Sequence, residues 1–318
     1  KMRKFAAVLL AIVLLGAAPI SELAGVDCTV LFAPKAEAVG KTYKVGDIVE
    51  FGSYPQSKVT NSSLVSALNS VSKNWVSYGY YSGDGSYGSM KPGDWMKYAD
   101  FTYNGTKYRA VTFSQYRPWW TYCSSDEGNT NQDDNGYTPN NIYYFKYEPL
   151  KWRVLDPSTG LVLCESIIDS QAYSNTVYSY GKDPRGYTIA RWNDTKHTHY
   201  ANDYATSSIR AWLNDDFYNT AFPSSQKASI LTSELDNKAY STSNSEFDSE
   251  TTYDKVFLLS YNEVQNTTYD FQADSDSSPA RQARGTDYAK CQGLWVHPSN
   301  KCSDYRLRSA GDNSNYVC

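Results

Sequence analysis

The stretch EPLKWRVLDPSTGLVLCESIID, residues 148–169, does more than any other to limit the folds open to this chain. Leu150, Trp152 and Val154 alternate with Lys151 and Arg153, the period-2 pattern of a strand with one buried face. Asp156, Pro157, Ser158, Thr159 and Gly160 form a turn, and Leu161 and Leu163 carry the chain back. Such a hairpin has one apolar face, and another element must cover it.

The candidates for that cover follow in sequence. Ile209, Trp212, Leu213 and Phe217 mark one side of a helix over about 207–218, with Thr206 or Ser207 as its N-cap. PSSQKASIL starts a second short helix at 223, and KVFLLS, residues 255–260, reads as a buried strand. Ser260 and Glu263 have the spacing of a capping box. Hairpin, helix, helix and strand in this order describe an α+β domain and not a parallel α/β repeat.

Upstream, KVGDIVEFGSYPQSKVT reads as a strand ending at Gly52 with a turn at Tyr54 and Pro55. Leu64, Ala67, Leu68 and Val71 give a short amphipathic helix over 63–72. Asn104-Gly105, between two β-prone runs, is the strongest local hairpin signal in the chain. The polar stretches 77–93 and 121–140 read as surface loops, and there is no internal repeat. At the other end, Tyr305, Leu307 and Ser309 fall on one face of a short strand over 305–309, followed by a turn at Ala310, Gly311 and Asp312.

The first residues bear on localisation. Arg3 and Lys4 precede an apolar run over 5–18, and Ala36-Glu37-Ala38 offers a cleavage site, so residues 1–38 read as an export signal. The run falls short of the roughly 20 residues that a membrane-spanning helix needs. Two residues between Gly25 and Cys28 spoil a lipoprotein spacing. No second run is long enough to span a membrane, so no transmembrane segment is expected once the signal is cleaved.

The formal charge of −4, without a Lys/Arg cluster, argues against a nucleic-acid or anionic-membrane footprint. The chain has 29 Tyr and 8 Trp among abundant Ser, Asn, Asp and Gly, a mixture that suits recognition by shape and aromatic contact and equally a β-rich protein with Tyr on its strand faces. The cysteines have no repeating spacing; Cys164 reads as a small buried hydrophobe, and pairing of Cys291 with Cys302 is left open. His197-Thr198-His199, near Asp194 and Asp203, fits no zinc spacing, and Asp133-Asp134 and Asp274/Asp276 fit no calcium loop. No metal and no cofactor are expected. Neither a nucleophile elbow nor a phosphate-cradling glycine loop is present, and no catalytic residue is assigned; a pair of hydrolytic acids would leave little trace in sequence.

YEPLKWRVLD (147–156), SSIRAWLNDDFYNTAF (207–222), KVFLLSYNEV (255–264), GTDYAKCQGL (285–294) and YRLRSAG (305–311) together resemble the domain-of-unknown-function family 6273. VGDIVEFGSYPQS (45–57) resembles the lead-in such proteins carry. The resemblance implies an exported gut-bacterial protein divided into a signal at 1–38, a β-rich lead-in at 39–140 and a domain at 141–318. It further implies a C-type-lectin-like mixed sheet with short helices, similar also to formylglycine-generating enzymes. Family members continue to a closing Gly-Val-Arg-Pro-Ala strand that is not in this sequence, so the domain is expected to be truncated at its C-terminus. The family's paired tryptophans are replaced here by Tyr305 and Arg306.

Trp152, Arg210, Trp212, Leu213, Asn214 and Arg308 are read as residues that mark the fold, the arginines satisfied by carboxylates or carbonyls. Tyr305, Asp312, Asn313, Asn315 and Tyr316 are the expected ligand-binding residues. The tail from Asp312 to Tyr316 also has only residue types whose codons differ from an asparagine codon at one base, the set left by miscopied adenines, although an ordinary polar turn has the same composition. The functional expectation is a secreted or cell-surface module recognising an extracellular glycan, a peptide or a surface protein. Two alternatives stand beside it: an enzyme of the formylglycine or hydrolytic type, and a structural surface protein without a ligand.

Overall fold

The computed structural model describes the strand backbone at 5–8, 11–13, 178–182 and 188–192, and residues 42–78, 96–117, 131–174, 194, 196, 198–273, 278–312, 317 and 318. The strands are β1 (Phe5–Val8), β2 (Ala11–Val13), β3 (Ile48–Lys58), β4 (Val76–Ser77), β5 (Met96–Tyr103), β6 (Thr106–Phe113), β7 (Ile142–Asp156), β8 (Leu161–Cys164), β9 (Ser166–Ile167), β10 (Asp169–Ala172), β11 (Tyr178–Lys182), β12 (Thr188–Trp192), β13 (Ser233–Leu235), β14 (Thr252–Asp254), β15 (Val256–Phe257) and β16 (Arg284–Gly285). The helices are α1 (Ser62–Asn69), α2 (Asn131–Asp134), α3 (Ser208–Trp212), α4 (Tyr218–Ala221), α5 (Ser224–Lys227) and α6 (Asp287–Cys291). The architecture is mixed α+β, an antiparallel sheet with short helices, as the order of the sequence signals requires. Among the described residues no helix is long and apolar enough to cross a membrane.

Among the described residues the largest sheet has eight strands in the order β15-β2-β8-β7-β6-β5-β4, with β3 also on β7. β7 organises it. Lys146 pairs with Tyr108 of β6 and Ser57 of β3, and Trp152 pairs with Cys164 of β8 and Val49 of β3. An antiparallel strand has two edges, so β3 runs along one while β6 and β8 share the other. Pro149 lies between these two partners, where its missing N–H interrupts no ladder bond to either. The Gln56 side chain donates to the carbonyls of Glu148 and Pro149 at 2.9 and 3.0 Å.

The first strand is longer than the sequence suggests. Gly52 and Pro55 read as its end, yet β3 continues through register shifts between Glu50 and Ser53 and between Pro55 and Ser57. At Gly52 φ is +75°, and an added Cβ would meet the Phe222 ring at 2.6 Å. The glycine permits a bulge and a close approach instead of a stop. The Asn104-Gly105 hairpin forms as expected, with both residues at positive φ and Tyr103 paired to Thr106. Stretch 121–140 is only partly described, and its end is no surface loop. Gln132 on α2 is fully buried and donates to the Cys291 carbonyl of α6, and Tyr137 is also buried.

Trp152 sits at the centre of the main core, fully buried, with Nε1 donating to the Phe51 carbonyl at 2.7 Å. Ile209, Leu213 and Phe217 cover it from one helix face, while Trp212 is half-buried at the margin. That helix is not uniform, because Leu213–Phe217 forms a π-helical turn between α3 and α4. Across the sheet a smaller cluster joins Leu68 of α1 to Ala99, Tyr108, Ala110 and Tyr144.

The lead-in and the later segment also meet through buried polar groups. Arg109 of β6 forks onto Asp100 of β5 at 2.8 and 2.7 Å and donates to the hydroxyls of Tyr147 and Tyr288. Its guanidinium lies 4.4–5.8 Å from the rings of Tyr54, Tyr98, Tyr147 and Tyr288. Nearby, Tyr54 donates to the fully buried Asp169 carboxylate at 2.8 Å. Burial pushes the Asp169 carboxyl above its ordinary range, against the hydrogen bonds from Tyr54 and Ser170. A raised folded value contributes stability that is fully present below the unfolded pKa and lost as pH rises through the folded one. Asp169→Asn is therefore expected to raise the thermal midpoint at pH 7, with the difference from the parent shrinking toward pH 3.

Candidate functional site

The fold-marking residues interlock. Ser207 caps α3, accepting from the Arg210 N–H. Arg210 Nε donates to both oxygens of the buried Asp254 at 2.8 and 2.9 Å, and its Nη1 to the Ala205 carbonyl. Asn214, in the π turn, accepts from the N–H groups of Lys255 and Val256 and donates to the Val256 carbonyl. Its side-chain amide stands in for a strand partner. The capping box also forms: Ser260 N–H donates to Glu263 at 2.7 Å and Glu263 N–H to Ser260 Oγ at 3.1 Å. Glu263 serves a second purpose, since Arg308 forks onto it at 2.6 and 2.9 Å while also donating to the Leu258 carbonyl.

That pair anchors the tail. The strand expected over 305–309 does not form, and individual bonds hold these residues instead. Arg308 N–H donates to the Leu259 carbonyl, and Leu307 N–H to that of Cys318. Ser309 Oγ accepts from Tyr261 N–H, the Ala310 carbonyl from Tyr240 N–H, and Ala310 bridges to Val317. Ala310 and Val317 are thus both buried and bridged to each other.

Aromatic rings lie near this bridge. Tyr240 and Tyr261 meet edge-on at 5.6 Å, with Tyr240 37% exposed. Ala310 packs with Ala239 and Phe247, and Tyr200 joins them, 5.2 Å from the Phe247 ring. Trp192 stacks on Tyr200 at 4.7 Å. These residues come from five separate segments. Such amphipathic rings suit stacking contacts with a ligand.

Of the expected ligand residues, Asp312 is exposed. Asn313, Asn315 and Tyr316 lie outside the described residues. Tyr305 belongs elsewhere: it is half-buried against the main core, and burial pushes its hydroxyl up to about 12. Sequence reasoning missed Tyr240, Tyr261, Tyr200 and Trp192, because only backbone bonds to the tail and ring contacts bring them together.

A separate cleft of about 500 Å³ opens along β7, lined among others by Glu50, Glu148, Lys146, Lys151 and Cys164. Its charges alternate in sign, and burial pushes the Cys164 thiol up to about 12, which leaves little thiolate for nucleophilic chemistry. Cys291 and Cys302 are free thiols; Cys291 is fully buried, and burial also pushes its thiol well up. His199 Nδ1 lies 3.0 Å from Asp203, while His197, Asp274 and Asp276 lie outside the described residues. Among the described residues no three His, Cys, Asp or Glu groups gather as for a metal ion.

A family model described as Domain of unknown function (DUF6273) matches residues 158–318. The match begins inside the β7–β8 turn, so Trp152 and the lead-in strands precede it. No curated protein and no solved structure matches.

Proposed function

The chain belongs to the DUF6273 family, and from that premise we propose that it is an exported recognition module that binds an extracellular glycan, peptide or surface protein through the tyrosines near Ala310 and the polar residues of the tail. The observation carrying this reading is the Arg308 anchor on Glu263 close to the Tyr240–Tyr261 ring pair, of which Tyr240 is 37% exposed. Polar side chains outside a packed core can vary at little cost to it. The export signal at 1–38 supports a location outside the cell. The finer resemblance to C-type-lectin-like folds belongs to the same proposal, supported by the tail doubling back beside residues 258 and 259.

The test is binding of the full chain to a glycan array and a peptide library. Saturable binding is expected, with Tyr240→Ala plus Tyr261→Ala weakening it at least ~10-fold, since stacking on an aromatic ring contributes on the order of 1 kcal/mol. Tyr240→Ala alone should move the thermal midpoint little, because Tyr240 is partly exposed, whereas Tyr261 also packs on the main core. Silence on both arrays would instead favour a structural surface protein. Binding indifferent to both substitutions would place the site elsewhere, with the β7 cleft the next surface to test.

A further inference from the structure

The N-terminal apolar segment occupies an interior position of the sheet. β2 pairs antiparallel with β8 on one side, Ile12 opposite Val162, and with β15 on the other, Ile12 opposite Val256. β1 continues along β10, from Phe5 opposite Ala172 to Val8 opposite Asp169. These are the same residues that read as the core of a cleavable export signal. One segment cannot both leave with the signal and remain as an interior strand.

We propose that the gap between β8 and β15 is a strand-acceptor site, filled in the processed protein by an extended apolar strand of another polypeptide. The proposal rests on the export reading, because cleavage after Ala38 is what vacates the gap. Once emptied, two strand edges face each other, with ladder groups unpaired and walls formed by Leu161, Val162, Leu163, Val256 and Phe257, all buried when the gap is filled. Edges of this kind are templates for strand addition, in which main-chain hydrogen bonds supply affinity and alternate side chains supply selectivity. A second copy's leader is a poor donor because the same processing removes it.

The register constrains the donor's chemistry. Small or branched apolar residues belong opposite β8 and β15, as Ala11, Ile12 and Val13 do here. The β10 wall is different, since it presents the buried polar residues Asp169, Ser170 and Gln171 opposite Val8, Ala7 and Ala6. An acidic donor residue facing Asp169 would add a second carboxylate to a site that already disfavours charge.

The full chain, folded with a protease site inserted after Ala38, tests this. After cutting, the 1–38 fragment should remain bound in native mass spectrometry and be displaced by excess of a lysine-flanked peptide spanning residues 5–13. Amides of β8 and β15 should exchange at least ~10-fold more slowly with a strand bound than without. A control peptide with proline at positions 7 and 11 should neither displace the fragment nor protect those amides. Loss of the fragment with unchanged protection would show that the sheet closes by itself and would overturn the proposal, as would equal binding of the proline peptide. Failure of the export reading is read separately: residues 1–38 would then persist, by mass, in protein from the producing cells, whatever the peptides do.

Discussion

Arg308→Ala is expected to destabilise the protein by about 3 kcal/mol, within the range for breaking a buried ion pair. The guanidinium is 3% exposed and the Glu263 carboxylate 24%, which places the cost toward the lower end. Three attachments go at once: the fork onto Glu263, the bond to the Leu258 carbonyl and the packing over the Phe257 ring. Glu263→Gln should cost less, because the amide still accepts from Ser260 N–H and keeps part of the cap. Urea denaturation at pH 7 measures both. Equal small losses, below ~0.5 kcal/mol, would mean that the pair carries no stability and that the tail is held by its backbone bonds alone.

Asp100→Ala should cost about as much, because it strands the Arg109 guanidinium, 4% exposed, among tyrosine rings. The loss should depend on pH in a defined direction. Burial alone would push the Asp100 carboxyl up, but hydrogen bonds and charge from Arg109 overcome it and hold it below the ordinary range. A depressed folded value contributes stability that is present above the unfolded pKa of roughly 4 and lost as pH falls through the folded one. Parent and variant should differ fully at pH 7 and converge in strong acid. A difference independent of pH would assign the cost to lost packing and not to charge.

The parts of the fold that the sequence made legible are those decided within a few residues. Asn104 and Gly105 adopt positive φ in their turn, Gly160 does so in the next, and Ser207 caps α3. Ser260 and Glu263 close their box as their spacing requires. What sequence could not reveal depends on distant partners. Glu263 and Arg308 are 45 residues apart, and Arg109 and Tyr288 are 179 apart. Gly52 was ambiguous for another reason: a bulge and a strand end both call for a residue at positive φ, and only the Phe222 ring pressed against it distinguishes them. The candidate site divides the same way. Asp312 could be picked out from its polar turn, whereas Tyr240 and Tyr261 carry no local mark.

Because β3 and β6 flank the same strand that delivers β8, residues 158–318 have no boundary of their own in space, although the family match begins there. Exchange of genes between genomes would therefore favour crossovers upstream of β3, not at Ser158. A recombinant joined at Ser158 would inherit β8 without the partner edge of β7 and α6 without Arg109, and would enter a new host protein already misfolded. Lead-in and domain are thus expected to share one phylogeny, a pattern that comparing separate trees for the two segments would expose.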